Sequence, residues 1–317
     1  DALPIYFALF RHRLSGTIEY YNKYSVDLLA AINGSPTQGF GYTTLMTNNG
    51  KMVNRGVEIT LSGEIIRQKD FSWNASLLYA FNRNKVKHIS VQPSLWDSRI
   101  SMPTSYPMVG KPLYGIYAYK WAGLNENGDP QVYDAENNVT SGPARDYHAL
   151  VYCGTTVPIH NASLTNVLRY KGFEFSAMLI LDAGHKLRSS NIPSINMSNG
   201  RITSTAKGIV DRWTQPGDVT DVPRLLFSND TENFNTHRTE LYRYSDLFVY
   251  DASNIRLSNI SLAYRVPAHW CKKISLSGAR LQFNVENVAT FAFDSKANYD
   301  LGGKVKPNYV WGLYLNF

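Results

Sequence analysis

The chain has 317 residues, a formal net charge of +7, 44% apolar residues and a mean hydropathy of −0.28. No run approaches the roughly 18 apolar residues that a membrane-spanning helix needs. The basic residues are scattered rather than gathered in blocks, so we interpret the charge as serving solubility and contacts with a lumen and with lipid headgroups, and we expect no nucleic-acid partner. Cys153 and Cys271 lie far apart and form no CxxC motif, so neither a metal site nor a disulfide framework is indicated.

Segments in which apolar and polar residues alternate recur along the chain, as expected for strands with two unlike faces. In chain order, the segments are marked by Ile5, Phe7 and Leu9; by Ile18 and Tyr20; by Val57, Ile59, Leu61 and Ile65; by Phe71, Trp73, Ala75, Leu77, Tyr79 and Phe81; by 161–170; by Phe173, Phe175, Ala177, Leu179 and Leu181; by 254–266; by Leu281, Phe283 and Val285 within 275–290; and by Tyr309, Trp311, Leu313, Leu315 and Phe317. This predicts about nine antiparallel strands. Between Leu257 and Ile260 the alternation changes parity, which predicts a β-bulge.

The connections between these strands are alternately short and long. Short turns are predicted at 11–16, 67–70, 170–172 and 267–273, and long loops at 25–53, 85–158 and 184–247. Such asymmetry is typical of outer-membrane barrels, which have short periplasmic turns and longer extracellular loops. Loops this long count against a small soluble domain. Because single-chain bacterial barrels have even strand numbers, nine strands indicate part of a barrel, and the opening residues look like those of a fragment.

The final strand is the most informative segment. Its odd-numbered side chains from Tyr309 to Phe317 are all apolar or aromatic, and the chain ends on the last of them. An exposed edge strand this hydrophobic would promote aggregation of a soluble protein, whereas it suits a strand that closes a barrel in lipid. The last strand of a soluble sandwich is the alternative interpretation of this segment.

Six motifs in the same order resemble those of one family. They are the segments 54–59 (NRGVEI), 110–130, 169–173, 211–224, 255–267 and 284–288. In the first of them, Gly56 suits the point where a long loop enters a strand. Over about 50–317 the chain resembles the SusC/RagA-type TonB-dependent outer-membrane transporters. The resemblance implies an all-β fold, an antiparallel transmembrane β-barrel of about 22 strands. Residues 1–317 would form its C-terminal part, without the plug domain and the earlier strands.

The resemblance also implies a function and partners. The expected function is active import of a large nutrient, a glycan or a peptide, across the outer membrane of a Gram-negative bacterium. A SusD-like surface lipoprotein would cap the loops, and the TonB–ExbB–ExbD complex would act through the N-terminal part that this chain lacks. Phe317 would be the signal recognised by the barrel-assembly machinery. No cofactor is implied.

Aromatic residues in the long loops are candidates for substrate contact, because sugars and peptides are commonly held against flat rings and neutral amides. They are Trp96, Tyr106, Tyr114, Tyr117, Tyr119, Trp121 and Trp213. Packing of loop against loop is the favoured role for the 117–121 stretch. The inward charges are expected to bond to a plug or to one another; they are Glu58, Glu64, Glu174, Asp182, Arg280 and Glu286. The 125–130 segment resembles a cation loop but is better explained as an Asn-Gly turn.

No nucleophile elbow, P-loop or HExxH motif occurs, so the sequence does not indicate an enzyme. Two alternatives stay open from the residues alone. One is a barrel enzyme with a catalytic group at its rim, and the other is a secreted all-β carbohydrate-binding protein, which would not need an apolar face on nearly every strand.

Overall fold

The computed structural model describes residues 2–33, 37, 39, 44–90, 98–142, 146–197, 206–227, 236–302 and 306–317. Nine antiparallel strands form one sheet in which the strand order follows the chain. They are β1 (Ala2–Leu9), β2 (Leu14–Asn33), β3 (Thr44–Arg67), β4 (Phe71–His88), β5 (His160–Tyr170), β6 (Phe173–Ala183), β7 (Asn254–Val266), β8 (Gly278–Ala292) and β9 (Asn308–Asn316). The predicted all-β, antiparallel architecture is therefore confirmed.

The sheet has one apolar and one polar face, as the alternation predicted. On the apolar face, the rings of Phe283 on β8 and Trp311 on β9 pack with their centroids 4.2 Å apart. On the polar face, an Arg280 Nη2 donates to Glu174 Oε1 at 3.1 Å, and Asn161 Nδ2 donates to Asp182 Oδ1 at 2.7 Å. The inward charges at these positions bond to neighbouring strands.

One end of the sheet, the short-turn end, carries the tight connections. β1 joins β2 through four residues, and Phe10, Arg11 and His12 all have positive φ angles. The strand resumes at Leu14, so the turn predicted at 11–16 was placed too late. β5 and β6 are joined by two residues, with Lys171 at a φ of 53°. The turn between β7 and β8 includes a short helix, Ala268–Lys272.

The long loop predicted at 25–53 was wrong. β2 continues to Asn33 and β3 begins at Thr44, and the two strands pair along this whole stretch. Register irregularities occur around Leu28, next to Asp27, which has a φ of 52°. They disturb the alternation by which the strand could have been recognised.

The bulge predicted near 257–260 is confirmed. β6 pairs Met178 with Asn259 and the next residue, Leu179, with Leu257, so Ser258 is an extra residue in β7. The extra residue keeps the apolar side chains of both halves of β7 on one face. A second irregularity, which the sequence did not indicate, lies opposite Ser258 in β8, where Asn287 has a φ of 53°.

Gly56 lies inside β3 and not at a loop-to-strand junction, so the reason given for this glycine was wrong. A Cβ atom added at Gly56 would lie 2.3 Å from the ring of Tyr21 and 2.5 Å from the carbonyl oxygen of Phe81. The glycine is required because the Tyr21 ring lies across the strand at this point.

The two longest connections, β4–β5 and β6–β7, contain their own small elements. Their strands are Gly115–Tyr119, Trp121–Leu124, Pro130–Tyr133, Val139–Thr140, Leu150–Thr155, Lys186–Arg188, Asn196–Met197, Leu226–Phe227 and Val249–Asp251. Their helices are Ser98–Ser101, Tyr147–Ala149, Lys207–Asp211, Thr236–Arg243 and Asp246–Phe248, and Ser295–Ala297 and Asn298–Leu301 follow β8. Across the described ranges, no helix has the length and apolar character to cross a membrane.

Candidate functional site: the loop cap

The two longest connections fold against each other at the end of the sheet opposite the short turns. We call the described residues of 98–155 and 184–253 the loop cap. Within it, Tyr119 N–H donates to the Tyr244 carbonyl at 3.0 Å, and Arg188 Nη2 donates to the Tyr117 carbonyl at 2.7 Å. The connections are distant in sequence, and these bonds join them into one structure.

The loop cap has its own hydrophobic core. Tyr117 and Tyr119 are 1% and 0% exposed, and they pack together with Val132, Leu150 and Leu241. The Tyr117 hydroxyl accepts a hydrogen bond from the Met108 N–H at 3.2 Å, so its polar atom is satisfied despite burial. Desolvation raises the pKa of Tyr117. Both rings therefore stabilise the cap from within.

A buried arginine connects three segments of the cap. Arg238, with a side chain 1% exposed, donates to Asp129 Oδ1 at 3.1 Å. It also donates to the Ile195 and Arg224 carbonyls, at 3.1 and 2.7 Å, and to Asn196 Oδ1 at 2.8 Å. Burial lowers the pKa of Arg238, whereas the Asp129 carboxylate opposes that change. A buried charge is tolerated only when it is paired and hydrogen-bonded, as it is here.

The 125–130 segment is a turn, in agreement with the favoured interpretation. Asn125 Oδ1 accepts hydrogen bonds from Asn127 N–H at 3.0 Å and Asp129 N–H at 2.9 Å, and Gly128 has a φ of 76°. The turn directs Asp129 toward two arginines, because Arg224 Nη2 also donates to it at 2.8 Å. Its carboxylate is thereby occupied by protein partners. No group of metal-ligating side chains occurs in the described parts of the chain.

Trp121 and Trp213 both lie where the 211–224 segment crosses the 121–133 hairpin. Trp121 Nε1 donates to Asp221 Oδ1 at 2.9 Å. The Trp213 ring covers Gly128, where an added Cβ would lie 2.4 Å from it. Both residues are half-buried, so part of each side chain stays accessible.

The other predicted contact residues are more dispersed. Tyr114, 46% exposed, lies at the start of the Gly115–Tyr119 strand, and half-buried Tyr106 follows the Ser98–Ser101 helix. Trp96 lies outside the described residues. The rings of Tyr117 and Tyr119 are buried in the core of the cap. Phe317, 92% exposed, lies at the short-turn end, far from the cap in the chain topology.

The titratable groups of the cap do not form a reactive constellation. Burial raises the pKa of the Cys153 thiol to about 11, so at neutral pH it is protonated and a poor nucleophile. Burial lowers the pKa of His185. What the cap offers is half-buried aromatic rings and amides, which are suited to noncovalent recognition.

The sequence did not single out Arg238 or the Thr236–Arg243 helix that carries it. This helix is short and polar, so it has no apolar periodicity. Its partner Asp129 is 109 residues away. The only residue of this bond that the sequence could have indicated was Asp129, which follows an Asn-Gly turn within the 110–130 motif.

Comparison with known proteins extends these observations. A family model described as "TonB dependent receptor-like, beta-barrel" matches residues 5–288. TonB-dependent receptor P3 of Formosa agariphila is 25% identical, over 96% of this chain and 31% of its own length. TonB-dependent receptor SusC of Bacteroides thetaiotaomicron is 23% identical, over 89% of this chain and 27% of its own.

A solved structure described as the RagAB peptide transporter superposes with a TM-score of 0.75 at 21% identity, covering 100% of this chain and 35% of the matched chain. At 21% identity, this structural similarity shows the fold alone. The chain spans about a third of the length of the proteins it matches. The resemblance to SusC/RagA-type proteins is confirmed, and because the family model covers most of its length, the chain belongs to the TonB-dependent receptor β-barrel family.

Proposed function

We propose that the complete protein imports a large nutrient, an oligosaccharide or a peptide, across the outer membrane by TonB-dependent active transport. The observation that carries the proposal is the pairing of a two-faced strand wall with a folded loop cap at one end. The wall supplies a lipid-facing surface and a polar interior. The cap supplies a recognition surface above that interior.

The dimensions of the wall support a position in the outer membrane of a Gram-negative bacterium. On β4, the apolar face runs over ten residue steps from Phe71 to Phe81. At about 3.3 Å per residue this is roughly 33 Å along the strand. A tilt of about 40° reduces it to the roughly 25 Å height of the apolar band of such barrels.

The proposed partners are a SusD-like lipoprotein and the TonB–ExbB–ExbD complex, which would act through parts of the protein beyond this chain. The names of the relatives support this assignment, since one matched protein is called SusC and another structure is described as a peptide transporter. The two open edges of the sheet, β1 and β9, need further strands before the barrel can close in lipid.

We assign substrate contact to the accessible aromatic rings of the cap, which are Tyr106, Tyr114, Trp121 and Trp213, together with Trp96. Tyr114 offers the clearest test because it is 46% exposed, whereas the nearby Tyr117 is buried. Tyr114→Ala is expected to weaken substrate affinity by about 1–2 kcal/mol and leave the cap folded. Tyr117→Ala is expected to loosen the cap, which protease sensitivity would report.

Import itself is tested by deleting the gene and growing the strain on a panel of single glycans and single peptides. Growth on one nutrient class is expected to fail and to return with the wild-type gene. Uptake of the labelled nutrient should also stop when an uncoupler dissipates the proton gradient. Normal growth on every nutrient, or uptake that survives the uncoupler, would contradict TonB-dependent import.

A further inference from the structure

A basic cavity lies beside β3 and β4 at the loop-cap end of the wall, just beyond the apolar band. Its volume is about 510 Å³, and its walls come from β3, β4, the cap segment 110–112 and the residues 152–159 that lead into β5. Five cationic side chains line it: Arg55, Arg83, Lys85, Lys87 and Lys111. Among the described residues of its lining there is no carboxylate.

Alternation along β3 and β4 places four of these cations, all except Lys111, on the apolar face of the wall, and Asn82 and Asn84 of the polar face also line the cavity. Side chains alternate along β4, so Arg83, Lys85 and Lys87 share a face with Phe81 and follow it directly. On β3, Arg55 is the register partner of Arg83. The floor of the cavity is apolar and includes Phe81 and Ile159. The cavity thus lies where the lipid hydrocarbon ends and headgroups begin.

No carboxylate of the described residues is paired with these charges. Arg55 and Arg83 lie directly opposite each other, an arrangement that repels like charges. Arg55 Nε donates to the neutral Asn22 Oδ1 at 3.0 Å. Lys111 Nζ lies 4.8 Å from the ring centre of Tyr152. Within the described chain, none of the five forms an ion pair, which leaves their donors available to an external anion.

We propose that this cavity binds the phosphate groups of a phosphorylated glycolipid in the outer leaflet of the membrane. Arginine forks and lysine ammonium groups are the side chains best suited to phosphate. The apolar floor continues into the lipid-facing band, so a headgroup can bind while its acyl chains stay in the hydrocarbon. The inference rests on the proposed position in the outer membrane and adds a lipid site to it.

The test uses the complete receptor, purified in mild detergent, and measures binding of purified lipid A, dephosphorylated lipid A and inorganic phosphate. The variant is Arg83→Gln/Lys85→Gln/Lys87→Gln. The matched control, Lys69→Gln/Lys171→Gln/Lys272→Gln, removes the same charge at the short-turn end. Lipid A affinity is expected to fall at least about tenfold in the first variant, since each cation at an anionic surface contributes several-fold. It should stay unchanged in the control.

Equal loss in both variants, or equal binding of dephosphorylated lipid A, would overturn the proposal. Inorganic phosphate binding as tightly as lipid A would assign the cavity to free phosphate and reject the lipid. Heat-modifiable mobility on gels checks that the triple variant folds. If it does not, Lys85→Gln and Lys87→Gln are tested singly, and each should lower affinity several-fold. If a variant that no longer binds lipid A still takes up nutrient normally, the import function is unaffected. The lipid site and the import function are therefore tested separately.

Discussion

At the scale of single residues, neighbouring side chains on a strand have opposite surroundings. Trp311 is 79% exposed on the apolar face of β9, near the middle of its nine residues, and Val310 points to the polar face. Trp311→Arg is expected to lower the stability of the barrel by about 2–4 kcal/mol, because it places a charge in the hydrocarbon. Val310→Arg is expected to cost much less. Unfolding in urea from lipid vesicles measures both, and similar costs would refute the face assignment.

The stability of the loop cap is expected to depend on the buried Arg238 more than on the arginines at the surface of the cap. Arg238→Ala would leave the Ile195 and Arg224 carbonyls without their side-chain donor, and losing a buried hydrogen-bond partner typically costs about 1–3 kcal/mol per group. Arg243→Ala, on the exposed side of the same helix, should change stability by less than about 0.5 kcal/mol. Limited proteolysis of the cap reports both variants. Cleavage rates that do not differ between them would contradict the structural role of Arg238.

Phe317 is expected to be needed for efficient assembly, because the resemblance to the SusC/RagA-type transporters implies that the terminal aromatic residue is the assembly signal. It is 92% exposed, so its removal costs little packing within the chain. Deleting Phe317 should therefore lower the amount of heat-modifiable barrel in the outer membrane without changing the stability of the barrel that does assemble. Unchanged levels at native expression would show that recognition lies elsewhere.

At the scale of elements, the bulge in β7 determines which face its first half presents. Deleting Ser258 would turn Ile255 and Leu257 to the polar face, because a one-residue slip reverses every side chain. Assembly is expected to fail or fall severely. Ser258→Ala keeps the residue count and should assemble normally. Comparing the two variants shows whether the strand register or the serine hydroxyl is needed for assembly. Normal assembly of the deletion, measured as heat-modifiable protein, would rule out this role.

How far the sequence predicted the elements depends on where each one lies. β4 and β9 were recognised because one apolar and one polar face impose strict alternation on them. The outer parts of β2 and β3 were not, since near Asp27 and Leu28 the register is irregular and backbone pairing holds the strands together. Backbone hydrogen bonds leave no hydrophobic pattern, which is why 25–53 was mistaken for a loop.

The candidate site was less predictable than the wall. Aromatic content pointed to the right region, but whether a ring is buried, as in Tyr119, or half-exposed, as in Trp213, depends on contacts between distant segments. The bond between Arg238 and Asp129 is an example, since 109 residues separate the partners. Local patterns do not carry such information.

At the scale of the whole molecule, the short turns and the loop cap should lie on opposite sides of the membrane. A cysteine at Val219, fully exposed in the cap, should react with an impermeant maleimide on intact cells. A cysteine at Lys171, in the β5–β6 turn, should react only after the outer membrane is permeabilised. Background from Cys153 is expected to be low, because burial raises its pKa to about 11. Labelling of position 171 alone on intact cells would invert the topology.

The Tyr21 ring lying across Gly56 has a consequence for how this sequence can change during evolution. A larger residue at Gly56 would collide with the ring and with the Phe81 carbonyl, as the 2.3 and 2.5 Å separations require. Losing the ring would leave a glycine uncovered in the middle of a strand, where it weakens the strand. Neither position can drift alone without loss, so the two are expected to covary among relatives, with glycine retained wherever the aromatic ring is.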